Sequence, residues 1–245
     1  MEVEKHMHFL EDYLQENAST WDVIYIMSST QHLNHSFENI PQRIADNSSH
    51  NLYARTSISD ALPRVHYGTL DINLYQQIED SQAKIIASRG IANSPRVLIV
   101  MDDMVGVLEH KHKQGEIDPL MYISSSFTRM RHFNISCILL VQIIAYTLTK
   151  TMKSNADYIL FSKLNEDAIK SASEATLVKR KALDDMLRQI EQYEFLCIDN
   201  KNLSNPIKIL KSNASAAALH TLAKPMRAKR TGRLGLASIG LANAV

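Results

Sequence analysis

The chain has 245 residues, 45% hydrophobic and 22% charged, which fits one α/β domain with a short appendage and excludes a disordered chain. Its 27 basic and 26 acidic residues leave a net charge of +1, so bulk charge gives no sign of a nucleic-acid partner and only local patches could. Cys137 and Cys197 lie in apolar runs and read as small buried residues rather than a disulfide framework, and no apolar stretch reaches the roughly 20 residues of a membrane span.

Residues 2–16 carry Met7, Leu10, Tyr13 and Leu14 at helical spacing and predict an amphipathic helix, not a secretory signal. Val23–Ser29 reads as a strand, residues 30–62 as polar and irregular, and Arg64–Thr69 as a short strand. Asp71 is suited to cap a helix through about Ser88, Gly90 stops it, and Pro95 leads into a strand over 96–101. Asp118 and Pro119 open a helix predicted over 119–133. There follow a strand over 136–142, a short helix over 146–155, a strand over 157–163, and helices over Glu166–Ala175 and Val178–Gln192. Two last strands, Phe195–Asp199 and Ile207–Leu210, are joined by the turn-like run NKNLSNP.

Strands that are solid apolar runs are buried on both faces, and helices between them are the crossovers of a parallel sheet. The expectation is therefore a mostly parallel sheet flanked by helices, with the last two strands as a hairpin at its edge. Residues 1–213 form this domain. Residues 214–245 change character and read as a tail, helical at first and then flexible and basic.

The run RVLIVMDDM is a buried strand that ends in Asp102 and Asp103. Ligands of open α/β sheets bind beyond the carboxyl ends of the strands, where one such acid can hold Mg²⁺ and the next can polarise an attacking water. A solvated Asp-Asp pair is the plainer reading. Gln142, at the end of the next apolar strand, falls at the same sheet edge. Arg129 and Arg131 precede that strand and carry guanidinium groups of the kind that neutralise a transferring phosphate; from spacing alone a solvated helix end, with cations favoured by the dipole, is the plainer reading. The close histidine pairs His6/His8, His32/His35 and His110/His112 lack a completing ligand set and read as surface residues. Ser124, Ser125 and Ser126 lack the Gly-x-Ser-x-Gly turn of a nucleophile. The tail cations Lys224, Arg227, Lys229, Arg230 and Arg233 could touch phosphates, or be a solvated end.

In order, VLIVMDDM, SFTRMRHFNISCILLVQ and MKSNADYILFSK resemble the genome-packaging ATPases of large DNA viruses, the poxvirus-type members of the FtsK/HerA superfamily that also occur in virus-like mobile elements. The resemblance runs from about residue 20 to residue 200. It implies a P-loop NTPase with a RecA-like core and ATP and Mg²⁺ as cofactors. Asp102 would be the metal-binding Walker B acid and Asp103 the catalytic acid, with Gln142 as the sensor glutamine. Arg131, or failing it Arg129, would act in trans, and Asn155 falls in a recurrent family element. It further implies a ring, commonly a hexamer, that drives double-stranded DNA into a capsid, with capsid or portal proteins as partners. The location it implies is the host cytoplasm or viral factory, with possible association with the virion.

The chain departs from the family in one respect: no Gly-x-x-x-x-Gly-Lys-[Ser/Thr] run occurs among its residues. Residues 2–16 resemble the helix that follows that loop, so the sequence reads as beginning just after it. The expectation is a copy lacking its first strand and phosphate loop, with no cofactor-binding loop and no turnover of ATP by the chain as given. The alternatives are an ATPase-dead assembly subunit, a generic α/β binding module, or a metal-dependent nuclease, for which third and fourth ligands cannot be placed.

Overall fold

A computed structural model describes residues 9–14, 17, 20–28, 40, 64–69, 71–103, 117–141, 148–176, 178–191, 194–202, 206–211 and 238–242. Its strands are β1 (Val23–Ser28), β2 (Arg64–Thr69), β3 (Val97–Asp102), β4 (Ile135–Val141), β5 (Tyr158–Phe161), β6 (Glu194–Asp199), β7 (Ile207–Lys211) and β8 (Ser238–Ala242). They form one sheet in the order β2-β1-β3-β4-β8-β5-β6-β7. From β2 to β5 every neighbouring pair is parallel, and β5-β6 and β6-β7 are antiparallel. The fold is thus α/β with a mostly parallel sheet, and β6 and β7 form the hairpin at its edge.

The alternation of side chains along β3 divides the interior in two. Val97, Ile99 and Met101 enter one core with Ile135, Cys137, Leu139 and Val141 of β4. Leu98 and Val100 enter the other with Ile24 and Ile26 of β1 and Ile138 and Leu140 of β4. Five helices cover the first core: α1 (Ile72–Arg89), α2 (Pro119–Ser126), α3 (Lys150–Asn155), α4 (Glu166–Thr176) and α5 (Arg180–Gln189). The second is covered by the helical residues 9–14, which bury Phe9, Leu10, Tyr13 and Leu14 and bring Phe9 to 4.8 Å from the Phe195 ring. Burying both faces of β3 and β4 explains why neither strand shows polar alternation. No described helix is long and apolar enough to cross a membrane.

The caps act where the sequence predicts them. Asp71 accepts from the Asn73 N–H at 2.8 Å, and Gly90, at φ +77°, closes α1 with its N–H on the Ile86 carbonyl. Asp118 accepts from the Met121 N–H at 3.2 Å, with Pro119 in the first turn of α2.

Two expectations differ from the structure. The helix predicted over 119–133 ends at Ser126, and a separate 3₁₀ turn follows over Met130–Phe133. Ser125, Ser126 and Thr128 donate to the carbonyls of Tyr122, Ile123 and Ser125, competing with continuation of the helix, and Asn134 then turns left-handed at φ 55°. The second difference is in the tail. Ser238–Ala242, read as flexible, is a strand in the interior of the sheet, between β4 and β5. Its partners are non-local, so no local pattern could announce it. Residues 212–237, including the tail cations, lie outside the described residues.

Candidate functional site

β1 and β3 lie side by side with Ser28 level with Asp102. Each is followed in sequence by a strand on its outer side, β2 beyond β1 and β4 beyond β3. The connections therefore diverge between β1 and β3, which is the switch point where open α/β sheets bind ligands at their carboxyl edge. Ser28 and Asp102 are the last residues of the two strands, and both belong by alternation to the face of Ile26 and Val100.

The Ser28 hydroxyl donates to Asp102 Oδ2 at 3.3 Å. Burial, and then the neighbouring Asp103 carboxylate, push the Asp102 carboxyl up from 3.8 to about 6, against the opposing bonds from Ser28 and the Asp103 backbone. Among the described residues, no cation is among the groups that shift Asp102, and its neighbouring charge is a second carboxylate. Asp103 leaves the strand with φ 49°, a left-handed conformation that Asp tolerates better than most residues. Two carboxylates and a hydroxyl are an all-oxygen donor set, which suits a hard cation such as Mg²⁺ that keeps several waters and takes its remaining ligands from a phosphate. Among the described residues no group of three or more His, Cys, Asp or Glu is placed to hold a metal ion, so those residues by themselves do not build a full cation cage.

The arginines lie elsewhere. β3 and β4 are parallel and level, with Val97 opposite Ile135, so the turn that precedes β4 is at the amino edge of the sheet and Asp102 is at the carboxyl edge. The two edges are one strand length apart, about 17 Å for six residues. Arg129 is engaged at the amino edge. Its Nη2 donates to Glu79 Oε2 at 2.7 Å, its Nη1 donates to Ser125 Oγ at 2.8 Å, and its guanidinium lies 5.0 Å from the centre of the Tyr122 ring. The Tyr122 hydroxyl also donates to Glu79 Oε2, at 2.6 Å. Arg131 is exposed, with its Nε 3.5 Å from His132 Nε2. Asn155 ends α3, with its side-chain amide on the Thr151 carbonyl. Gln142 lies outside the described residues; β4 ends one residue before it, where Leu140 is level with Asp102.

The structure thus gathers Asp102 and Asp103 in one place and keeps Arg129 and Arg131 away from them within a chain. It adds Ser28, whose only sequence signal was its position at the end of an apolar strand. It also adds Glu79, which shares the buried row of α1 with Tyr75, Ile78 and Gln82, a polar residue at a core spacing.

No protein-family model matches this chain, and no curated protein matches it.

Proposed function

We propose that this chain is a subunit of a genome-packaging type of ATPase motor and that Asp102 and Asp103 are the acid half of its ATP site. The observation that carries the reading is the largely buried Asp102 carboxylate, bonded by Ser28 and followed by Asp103, at the carboxyl edge and switch point of a mostly parallel sheet. The sequence resemblance to the poxvirus-type FtsK/HerA ATPases, with a RecA-like core, supports the same assignment. Asp102, with Ser28 beside it, would hold Mg²⁺, which when bound with ATP neutralises charge on the phosphates. In a motor completed by a phosphate loop, Asp103 would accept a proton from the water that attacks the γ-phosphorus, and Gln142 would orient that water. The new O–P bond forms as the bond to the ADP oxygen breaks.

The resemblance gives Arg131 a place in a ring. It lies a strand length from the acid pair of its own chain, which is compatible with the resemblance's assignment of its guanidinium to a phosphate on a neighbouring copy. Double-stranded DNA is the substrate that such a ring moves, with capsid or portal proteins as its docking partners, in the cytoplasm or viral factory of the host. The 245 residues contain no Gly-x-x-x-x-Gly-Lys-[Ser/Thr] run, so by themselves they offer the β- and γ-phosphates no such cradle. The purified chain is expected to self-associate and to retard double-stranded DNA at low salt without hydrolysing ATP. Gel filtration showing monomer alone, together with no DNA retardation, would sink the motor reading.

A further inference from the structure

β8 is the last strand in sequence and lies in the interior of the sheet. Ser238 pairs with Cys137 and Ala242 with Val141 on one side; Ile239 pairs with Tyr158 and Ala242 with Phe161 on the other. With β8 between them, β4 and β5 are two strand spacings apart, about 10 Å, too far to bond each other. If β8 left, the ladders of β4 and β5 on that side would lose their partner along two strongly apolar runs, ISCILLV and YILF. The remaining strands would fall into two groups, β2-β1-β3-β4 and β5-β6-β7, joined through the helices over the first core.

The strand that fills this gap is a weak one. It has five residues, Ser-Ile-Gly-Leu-Ala, and two of them, Gly240 and Ala242, are poor strand formers. Gly240 is its midpoint and pairs with both Leu139 and Ile159. Glycine in a strand interior loses more chain entropy than other residues and packs nothing. The connection is also long. β7 ends at Lys211 and β8 begins at Ser238. Three strand spacings and one strand length separate those points, on the order of 25 Å, against about 85 Å of extended chain. The length of the connection therefore does not by itself fix β8 in place, and its described attachments are its backbone ladders to β4 and β5.

We propose that the gap between β4 and β5 is a strand-accepting site, that residues 238–242 are its resident ligand, and that this ligand exchanges without unfolding the rest of the domain. Recognition is by parallel backbone ladders on both sides, so the partner class is a short extended apolar peptide of this register, the chain's own C-terminal strand first. This inference does not depend on the ATPase reading. Because β8 runs parallel to β4, its carboxyl end lies at the same sheet edge as Asp102, two strands away.

The test uses the full chain with a specific protease site placed between residues 214 and 236. After cleavage, the C-terminal fragment should co-elute with the core on gel filtration. A fluorescent peptide of residues 236–243 should then replace it, whereas the same peptide carrying Gly240→Pro, which loses a ladder donor, should bind at least tenfold more weakly. Equal uptake of both peptides, or loss of the fragment with unchanged amide protection in β4 and β5, would overturn the proposal. Native-state hydrogen exchange on the uncut chain is a second measurement that needs no variant. Amides of β8 should exchange through an opening that leaves β1 and β3 protected, and exchange of β8 only together with β3 would refute exchangeability.

Discussion

Asp102→Asn should stabilise the fold at alkaline pH. A rise of the Asp102 carboxyl from 3.8 to about 6 corresponds to about 3 kcal/mol between its two protonation states. Asp102 keeps some contact with solvent, so about 2 kcal/mol is the expected effect. The folded-state value is raised, so the folded chain binds this proton more tightly than the unfolded chain. The stability it contributes is complete below about pH 3.8 and is lost as pH rises through about 6. Asn has nearly the same shape and no charge, so the variant and the wild type should match near pH 4, diverge between pH 4 and 7, and differ by the full amount at pH 8. Urea denaturation followed by circular dichroism at pH 4.5, 6 and 8 measures this, with unchanged m values as the control. Millimolar Mg²⁺ should narrow the gap at pH 8 by stabilising only the wild type, by about 1.4 kcal/mol at ten times its dissociation constant. A variant no more stable than wild type at pH 8 would show that Asp102 carries no unrelieved charge and would remove the physical basis of the site.

The two arginines should separate cleanly. Arg129→Ala leaves the buried Glu79 carboxylate without its cation and should cost about 2–3 kcal/mol in urea denaturation, whereas Arg131→Ala should stay within about 0.5 kcal/mol of wild type. Equal effects would contradict the placement of Arg129 in a buried ion pair. Thr149 caps α3 by accepting from the Met152 N–H at 3.2 Å, so Thr149→Ala should lower stability by about 1 kcal/mol by the same assay, and Thr149→Asp by less. Burial pushes the thiols of Cys137 and Cys197 up, the latter to about 12, so neither should react with a disulfide reagent at pH 8 in the folded chain, and both should react in urea. Rapid reaction of either in the native state would show that the strand carrying it, β4 for Cys137 or β6 for Cys197, opens.

The fold was legible wherever the signal was local. β3, β4 and β5 are built on apolar runs (VLIVM, CILLV and YILF), and Asp71, Gly90, Asp118 and Pro119 each act through neighbours within four residues. The helix over 119–133 was read too long because its apolar spacing continues through Met130, while the hydroxyls that end it compete through short side-chain bonds. β8 was missed because a five-residue Ser-Ile-Gly-Leu-Ala run gains its strand identity only from β4 and β5, about 100 and 80 residues away in sequence. At the site, the acid pair could be read from the sequence because it ends a buried strand. Ser28 could not, since its bond to Asp102 crosses 74 positions. For the same reason Arg129 looked free: its partner Glu79 is 50 residues upstream.

The central claim, that Asp102 and Asp103 with Ser28 form a divalent-cation site at the carboxyl edge, is tested most directly with Mn²⁺ as a paramagnetic stand-in for Mg²⁺. In amide-resolved NMR spectra of the labelled chain at pH 8, substoichiometric Mn²⁺ should broaden the signals of Ser28, Asp102 and Asp103 first, and excess Mg²⁺ or the Asp102→Asn substitution should abolish the effect. Broadening centred elsewhere, or broadening of these three that persists in Asp102→Asn, would contradict the account.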